Sequence, residues 1–418
     1  MDNPSASRNS RRVSSVMDFL ALKSSTMGIL CMVILILLGE RLAERFLPIY
    51  LMAIGGSAIT IGLLNGMDNF LSAVYSFLGG YLSDRFGAKR SLLFFNFAAM
   101  FGFAIVILIP VWQAVIVGAF FFLSWSAVSL PATMKIITGV LPKNKHTMGI
   151  SMLSLIRRIP MALGPLLGGI CIGLWGDIDG VRAAFVFALV LAAAGTVVQQ
   201  LMVTENRVNA QAEALKAEKN PFKLFPLMSR ELKMLLVSDI LIRYCEQIPY
   251  AFVVIWCMKS IAQPISALQF GVLTTIEMTT ALVIYIPVAY FVDKSGKKPF
   301  ILATFVFFTC FPIILLFSQS FSWLILAFIV RGLKEFGEPT RKALIVELAP
   351  DERKAAVFGL YYMLRDAMVT IAAFGGAFLW MINPAVNFLI AAGFGVIGTV
   401  GYAIWGQNNS SKDEPKTV

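Results

Sequence analysis

Residues 79–94 read GGYLSDRFGAKRSLLF, and residues 289–302 read AYFVDKSGKKPFIL. Each is a polar, basic turn set between long apolar runs. Asp84 falls on Asp293 at an offset of 209 residues, and Asp68 upstream falls on Glu277 at the same offset. Pro131, Pro142 and Arg157 fall on Pro339, Pro350 and Arg365 at 208, and the fragment RLAER (41–45) answers RYCEQ (243–247). An ordered series of this kind marks duplication, and membrane transport folds are commonly built from repeats.

Outward from these turns the chain is overwhelmingly apolar. Hydrophobic residues make up 58% of 418, charged ones 14%, and mean hydropathy is +0.78, whereas a soluble domain carries about a quarter charged residues. A helix needs roughly 20 apolar residues to cross the hydrocarbon core. The pattern predicts spans near 28–53, 60–82, 91–110, 113–140, 149–174 and 182–203, then near 233–257, 266–291, 299–318, 321–346, 355–381 and 384–405. The expected organisation is a tail (1–26), a six-helix bundle (27–203), a polar linker (204–232), a second six-helix bundle (233–406) and a short tail (407–418).

The net charge of +11 raises the question of nucleic acid, and the placement of the basic residues answers it. Arg85, Lys89 and Arg90 follow span 2, Lys143 and Lys145 follow span 4, and Lys216, Lys219, Lys223 and Arg230 lie in the linker. Lys294, Lys297 and Lys298 follow span 8, and Arg341, Lys342, Arg353 and Lys354 flank the turn after span 10. The opposite-side turns hold little that is basic besides Arg182 and Lys259. This is the positive-inside asymmetry. It predicts a multi-pass protein of a bacterial-type inner membrane, or a membrane derived from one, with both termini cytoplasmic and no nucleic-acid partner.

Residues 1–26 lack the apolar core and cleavage site of a signal peptide and are expected to be a cytoplasmic tail. Cys31, Cys171, Cys245, Cys257 and Cys310 all fall in apolar spans without CxxC spacing, so no disulfide or metal site is expected. Gly393-Phe-Gly-Val-Ile-Gly398 fits GxGxxG but lies inside the last span with no strand before it, so its glycines should serve helix packing. With no nucleophile–base pair or P-loop, and the single His146 in a turn, an enzyme is not expected. No cofactor is expected, and the protein is expected to be a monomer in the bilayer.

The stretch Gly80-Tyr-Leu-Ser-Asp84-Arg85-Phe-Gly87-Ala-Lys89-Arg90 resembles the loop 2–3 signature of the major facilitator superfamily, with a weaker copy at Asp293-Lys-Ser-Gly296. The resemblance covers essentially the whole chain. It implies an all-α membrane protein with twelve transmembrane helices in two pseudo-symmetric six-helix bundles. By resemblance, Asp84 with Arg85 latches the cytoplasmic ends of the two halves, with Asp293 and Gly296 as the second copy. Gly80 should allow close helix approach, and Gly87 a tight turn. Gly164-Pro-Leu-Leu-Gly168-Gly169 is similar to the span 5 signature of drug/proton antiporters. The arginine such antiporters carry in span 4 is absent from residues 120–132, and a GPxxGG run is also a good packing face.

Ionisable residues at membrane depth cost about 2.5–3.5 kcal/mol each on insertion scales, which makes them functional candidates. Span 1 carries Glu40, Arg41, Glu44 and Arg45. Asp239, Arg243 and Glu246 fall on one face of span 7, and Arg331, Lys334, Glu335 and Glu338 on one face of span 10. With Arg157 and Arg365, these are the candidates for a solute cavity. Asp68 and Glu277 are candidates for carrying a coupling proton. The competing reading is that the charges are i,i+4 pairs such as Arg331–Glu335 and Lys334–Glu338.

Acids and bases in near balance suit a polar, charged or zwitterionic solute. The expected function is secondary active transport of such a small molecule or ion by alternating access, with proton coupling an option. Transport of iron or an iron chelate, through hard carboxylate ligands, and efflux of drugs or metabolites by proton antiport are the alternatives. A membrane receptor or enzyme is a distant fourth.

Overall fold

The computed structural model describes residues 24–141, 153, 156–204, 225–350 and 354–406, with the backbone alone at 76–77, 84, 138–139, 285–295 and 354–356. Both tails, most of the linker, and the turns carrying Lys143, Lys145, His146 and Arg353 lie outside these residues.

Among the described residues all regular structure is helical. Span 1 is divided into α1 (Ser24–Glu44) and α2 (Leu47–Ala53). Spans 2 and 3 are α3 (Ala58–Phe86) and α4 (Ala88–Leu108). Span 4 is divided into α5 (Trp112–Phe122) and α6 (Trp125–Val140). Spans 5 and 6 run together as α7 (Arg158–Met202), broken at Gly176, where φ is +80°. Span 7 starts as α8 (Arg230–Gln247), passes through a 3-10 turn at Tyr250–Phe252 and ends in a π-turn at Trp256–Ser260. Spans 8 and 9 are α9 (Ala267–Ser295) and α10 (Lys298–Phe317). Span 10 is divided into α11 (Phe321–Leu333) and α12 (Glu338–Glu347), and α13 (Lys354–Ile382) and α14 (Pro384–Trp405) close the series.

Nine segments are long and apolar enough to cross a membrane by length and composition. Arg158–Met202 supplies two spans, and α3 with the divided α11–α12 bring the total among the described residues to twelve.

Spans 1, 4, 7 and 10 are all interrupted in mid-course, at 45–46, 123–124, 248–249 and 334–337. Aligning RLAER with RYCEQ puts the first and third breaks within about one residue of the same repeat position. A broken helix frees backbone groups that hydrocarbon cannot satisfy, so protein or a polar cavity must take them. At the span 4 break, Ser124 adopts φ +59° and Arg157 Nη2 donates to the carbonyl of Ser126 at 2.7 Å. At the span 10 break, Gly337 N donates to Thr304 Oγ1.

The chain divides into two compact units. The first holds 1–43, 74–164 and 182–217; the second holds 44–73, 165–181 and 218–418. In the first unit, Gly87 turns the chain between α3 and α4 with φ +91°, and in the second, Gly296, 209 residues on, turns it between α9 and α10 with φ +79°. Close approach in the first unit falls on Gly79 and not on Gly80. A Cβ on Gly79 would come within 3.0 Å of Val128 Cα, whereas Gly80 has its nearest neighbour, Pro131 Cβ, at an ordinary 3.9 Å. Lys89 donates to the carbonyls of Gln200 (3.0 Å) and Val203 (2.7 Å), capping the end of α7.

The antiporter-like run in span 5 acts as a packing seam. A Cβ on Gly164 would meet Arg41 Cβ at 2.5 Å in the first unit. In the second, Gly169 lies against Ala267, and Gly271 lies against Pro165. Gly395 and Gly398 of the GxGxxG run likewise pack on Thr309 and Leu241. The two exceptional basic residues have local partners: Arg182 donates to the carbonyl of Ile107, at the end of α4, and Lys259 pairs with Asp177 at 2.9 Å.

Candidate functional site

The second unit contains a continuous network of ion pairs across α8, α9, α11, α12 and α13. Its most buried part joins Asp239 of α8 to Arg341 of α12, both with 0% exposed side chains. Asp239 also accepts from Tyr361 Oη at 3.0 Å and lies 3.7 Å from Arg365, both on α13. Arg365 in turn pairs with Asp366 at 2.7 Å.

Glu338, at the first position of α12, leads outward from this knot. One of its oxygens accepts from Arg341 at 2.5 Å, while the other lies 3.8 Å from Arg243 and 3.5 Å from Lys342. Arg243 pairs with Glu246 at 2.5 Å, one turn along α8. Lys334, at the break of span 10, reaches Glu246 at 2.7 Å and Glu277 of α9 at 3.5 Å. Arg331 closes the chain with Nε 3.3 Å from Glu277.

Five carboxylates (Asp239, Glu246, Glu277, Glu338, Asp366) thus balance five buried or half-buried cations (Arg243, Arg331, Lys334, Arg341, Arg365). Four of the five carboxylates are shared by two or more cations, so partners can be exchanged without stripping any group of its countercharge.

Several expectations change here. The i,i+4 pairs Arg331–Glu335 and Lys334–Glu338 are replaced by interhelical pairs, because the helix is interrupted at 334–337 and loses the 3.6-residue period on which such pairs depend. The stripe Asp239, Arg243, Glu246 divides in function: Asp239 is sealed in the knot, while Arg243 and Glu246 belong to the more accessible part, with side chains 20% and 10% exposed. Arg341, counted from sequence among the basic residues that flank the turn after span 10, is a completely buried member of the network. Tyr361 was not singled out at all. The Glu338–Arg341 spacing of three residues was the available signal for the first of these.

Arg45, at the span 1 break, stacks its guanidinium on the ring of Tyr250 at 4.9 Å from the centroid, and Arg331 lies over the same ring at 5.7 Å. Arg331 also covers Phe311 (5.0 Å) and Phe328 (5.6 Å). Glu44, Asp68 and Glu335 are half-buried and belong to the second unit with the network. Glu40, Arg41 and Arg157 belong to the first unit, where Glu40 is buried and Arg157 is electrostatically coupled to both. Arg85 donates to Tyr81 Oη at 3.1 Å. Among the described residues no group of three or more His, Cys, Asp or Glu is placed to hold a metal ion.

Twelve helical spans among the described residues, with a buried polar network in the second unit, fit a multi-pass membrane transporter. The sequence model of the Major Facilitator Superfamily matches residues 29–261 and 235–417, and the chain belongs to that family. It is therefore a secondary transporter of small solutes, with the family's two six-helix bundles. The fold is similar to that of the nucleoside transporter NupG, at 13% identity over 92% of this chain and 100% of that one, with a TM-score of 0.76. It is also similar to the peptide transporter POT in complex with sulfate (14% identity, 91% and 93% covered, TM-score 0.73). A POT family transporter in complex with 5-aminolevulinic acid is a further match (13%, 90% and 95%, TM-score 0.71). No curated sequence matches the chain.

Proposed function

We propose that the protein moves a small solute bearing formal charge by alternating access, across a bacterial-type inner membrane with both termini cytoplasmic. The observation that carries this reading is the balanced ion-pair network in the second unit. At about 2.5–3.5 kcal/mol per charge on insertion scales, ten ionisable groups would be a heavy cost for helix packing alone, which apolar side chains provide without desolvation. A site for a charged solute gives them a use. The nucleoside and peptide named for the similar structures are polar solutes as well.

Arg243, Glu246, Lys334 and Glu338 are among the solute-facing groups in this reading, because they combine partial exposure with shared partners. Asp68 and Glu277 are the candidates for a coupling proton, and Asp84 with Arg85 for the conformational latch. The test is uptake into proteoliposomes containing the full chain, over a panel of charged metabolites and lipophilic uncharged compounds. Uptake of a charged solute, reduced by Lys334→Gln, is expected. Uptake confined to uncharged lipophilic compounds would overturn the proposal.

A further inference from the structure

We infer that the solute is a compact zwitterion with a primary ammonium group, whose ammonium is received by Glu277 and whose carboxylate is received by Arg331 and Arg45 beside Tyr250. This rests on the charged-solute reading above and narrows it.

The first ground is the condition of Glu277. Its side chain is 1% exposed, yet neither carboxylate oxygen has a hydrogen-bond partner. Arg331 and Lys334 stand at 3.3 and 3.5 Å as ion pairs, without the alignment of a hydrogen bond. A buried carboxylate left in this state lacks the hydrogen bonds it would have in water, so a ligand with donors is favoured there. A primary ammonium supplies three donors from one compact centre.

The second ground is the pair of guanidinium groups on one ring. Arg45 lies at the span 1 break and Arg331 in the last turn of α11 before the span 10 break, and both settle on Tyr250, the first residue of the 3-10 turn that follows the span 7 break. Guanidinium forks recognise carboxylates in bidentate geometry, and the aromatic support holds their planes in place. Because Arg331 is also the 3.3 Å neighbour of Glu277, the two ends of the ligand must lie close together. An α-amino acid has that separation.

The third ground is charge balance. The five carboxylates and five cations of the network already neutralise one another, and Arg45, which joins the site, follows directly on Glu44 in the same unit. A solute with net charge would leave one charge uncompensated in a low-dielectric interior, which is unfavourable. A zwitterion enters without disturbing the balance.

The experiment measures thermal stabilisation of the full chain in nanodiscs by a panel of α-amino acids. Each is compared at constant ionic strength with its methyl ester, its N-acetyl derivative and its N-trimethyl derivative. At least one amino acid should stabilise the protein while its three derivatives do not. Arg45→Gln and Glu277→Gln should each raise the half-saturating concentration about tenfold or more, as expected when a charge-assisted hydrogen bond is lost. Lys259→Ala, outside the network, should leave it unchanged. Where Glu277→Gln does not fold, Arg45→Gln and Tyr250→Leu carry the test. Derivatives that bind as well as their parent overturn the inference, as does the absence of binding by any amino acid. If a singly charged solute is then transported, the charged-solute reading survives alone; if no charged solute is transported, both fall.

Discussion

Asp239 and Arg341 form an ion pair between α8 and α12 in which neither side chain is exposed at all. Removing one partner would leave the other's buried charge to its weaker second partner alone, Glu338 for Arg341 or Arg365 for Asp239, at a cost below the about 3–5 kcal/mol of a fully stranded charge, while removing both costs less still. Asp239→Asn or Arg341→Gln should therefore lower the unfolding temperature of the purified protein markedly. The double variant should recover a large part of the loss. Equal destabilisation by the singles and the double would show that the pair acts through something other than charge compensation.

The same pair shows where sequence reading stopped. Twelve spans, the duplication and the turn glycines Gly87 and Gly296 were legible because apolar length and an offset of 209 residues are linear properties of the chain. The individual charges of spans 7 and 10 were legible too, since each is costly in lipid. Their pairing was not. It depends on a helix break at 334–337 that contains no proline and only one glycine, Gly337. That glycine is accounted for by the close approach of Phe300 and by the hydrogen bond to Thr304, both distant in sequence. The burial of Arg341 was illegible for the related reason that its partner Asp239 stands on α8, 102 residues away in sequence.

Topology can be read with single cysteines. Lys297→Cys, in the turn between α9 and α10, should react with an impermeant thiol reagent only from the cytoplasm. Asn383→Cys, which precedes α14, should react only from outside. Labelling of both from the same side would sink the proposed orientation.

The latch proposed at Asp84 would act on the equilibrium between states and not on the solute. Asp84→Asn should slow transport while leaving expression and solute binding close to wild type. Gly87→Ala adds a Cβ where φ is +91°, and such strain costs of order 1–3 kcal/mol, so it should lower stability as well. Loss of binding in Asp84→Asn with normal alternation between states would contradict the latch.

Exchanging Arg243 and Glu246 separates mutual neutralisation from a positional role. Glu246 is bonded to Lys334 at 2.7 Å as well as to Arg243 at 2.5 Å. In the exchanged protein an arginine would face Lys334, and a glutamate would stand where Arg243 meets Glu338. Two repulsive contacts replace two attractive ones, so the double variant should transport no better than either single variant. Substantial recovery, measured as initial uptake rate, would mean that the two residues serve only each other.

Coupling provides the last test, and the repeat supplies its internal control. Asp68 and Glu277 occupy equivalent positions, each 16 residues before the aspartate at the following turn. Their surroundings differ. Glu277 is almost completely buried and faces Arg331 and Lys334, whereas Asp68 is half-buried on α3. If protons drive transport, one acid must bind and release a proton in each cycle, so its proton affinity must differ between the two states. Asp68→Asn should then abolish accumulation against a gradient and spare solute exchange at equilibrium, which requires no net proton movement. Glu277→Gln should abolish both, because that carboxylate is assigned to the solute's ammonium. Exchange that survives Glu277→Gln intact would remove Glu277 from the binding site and return it to the coupling role. Accumulation with a normal pH dependence in both variants would exclude both acids as the coupling site.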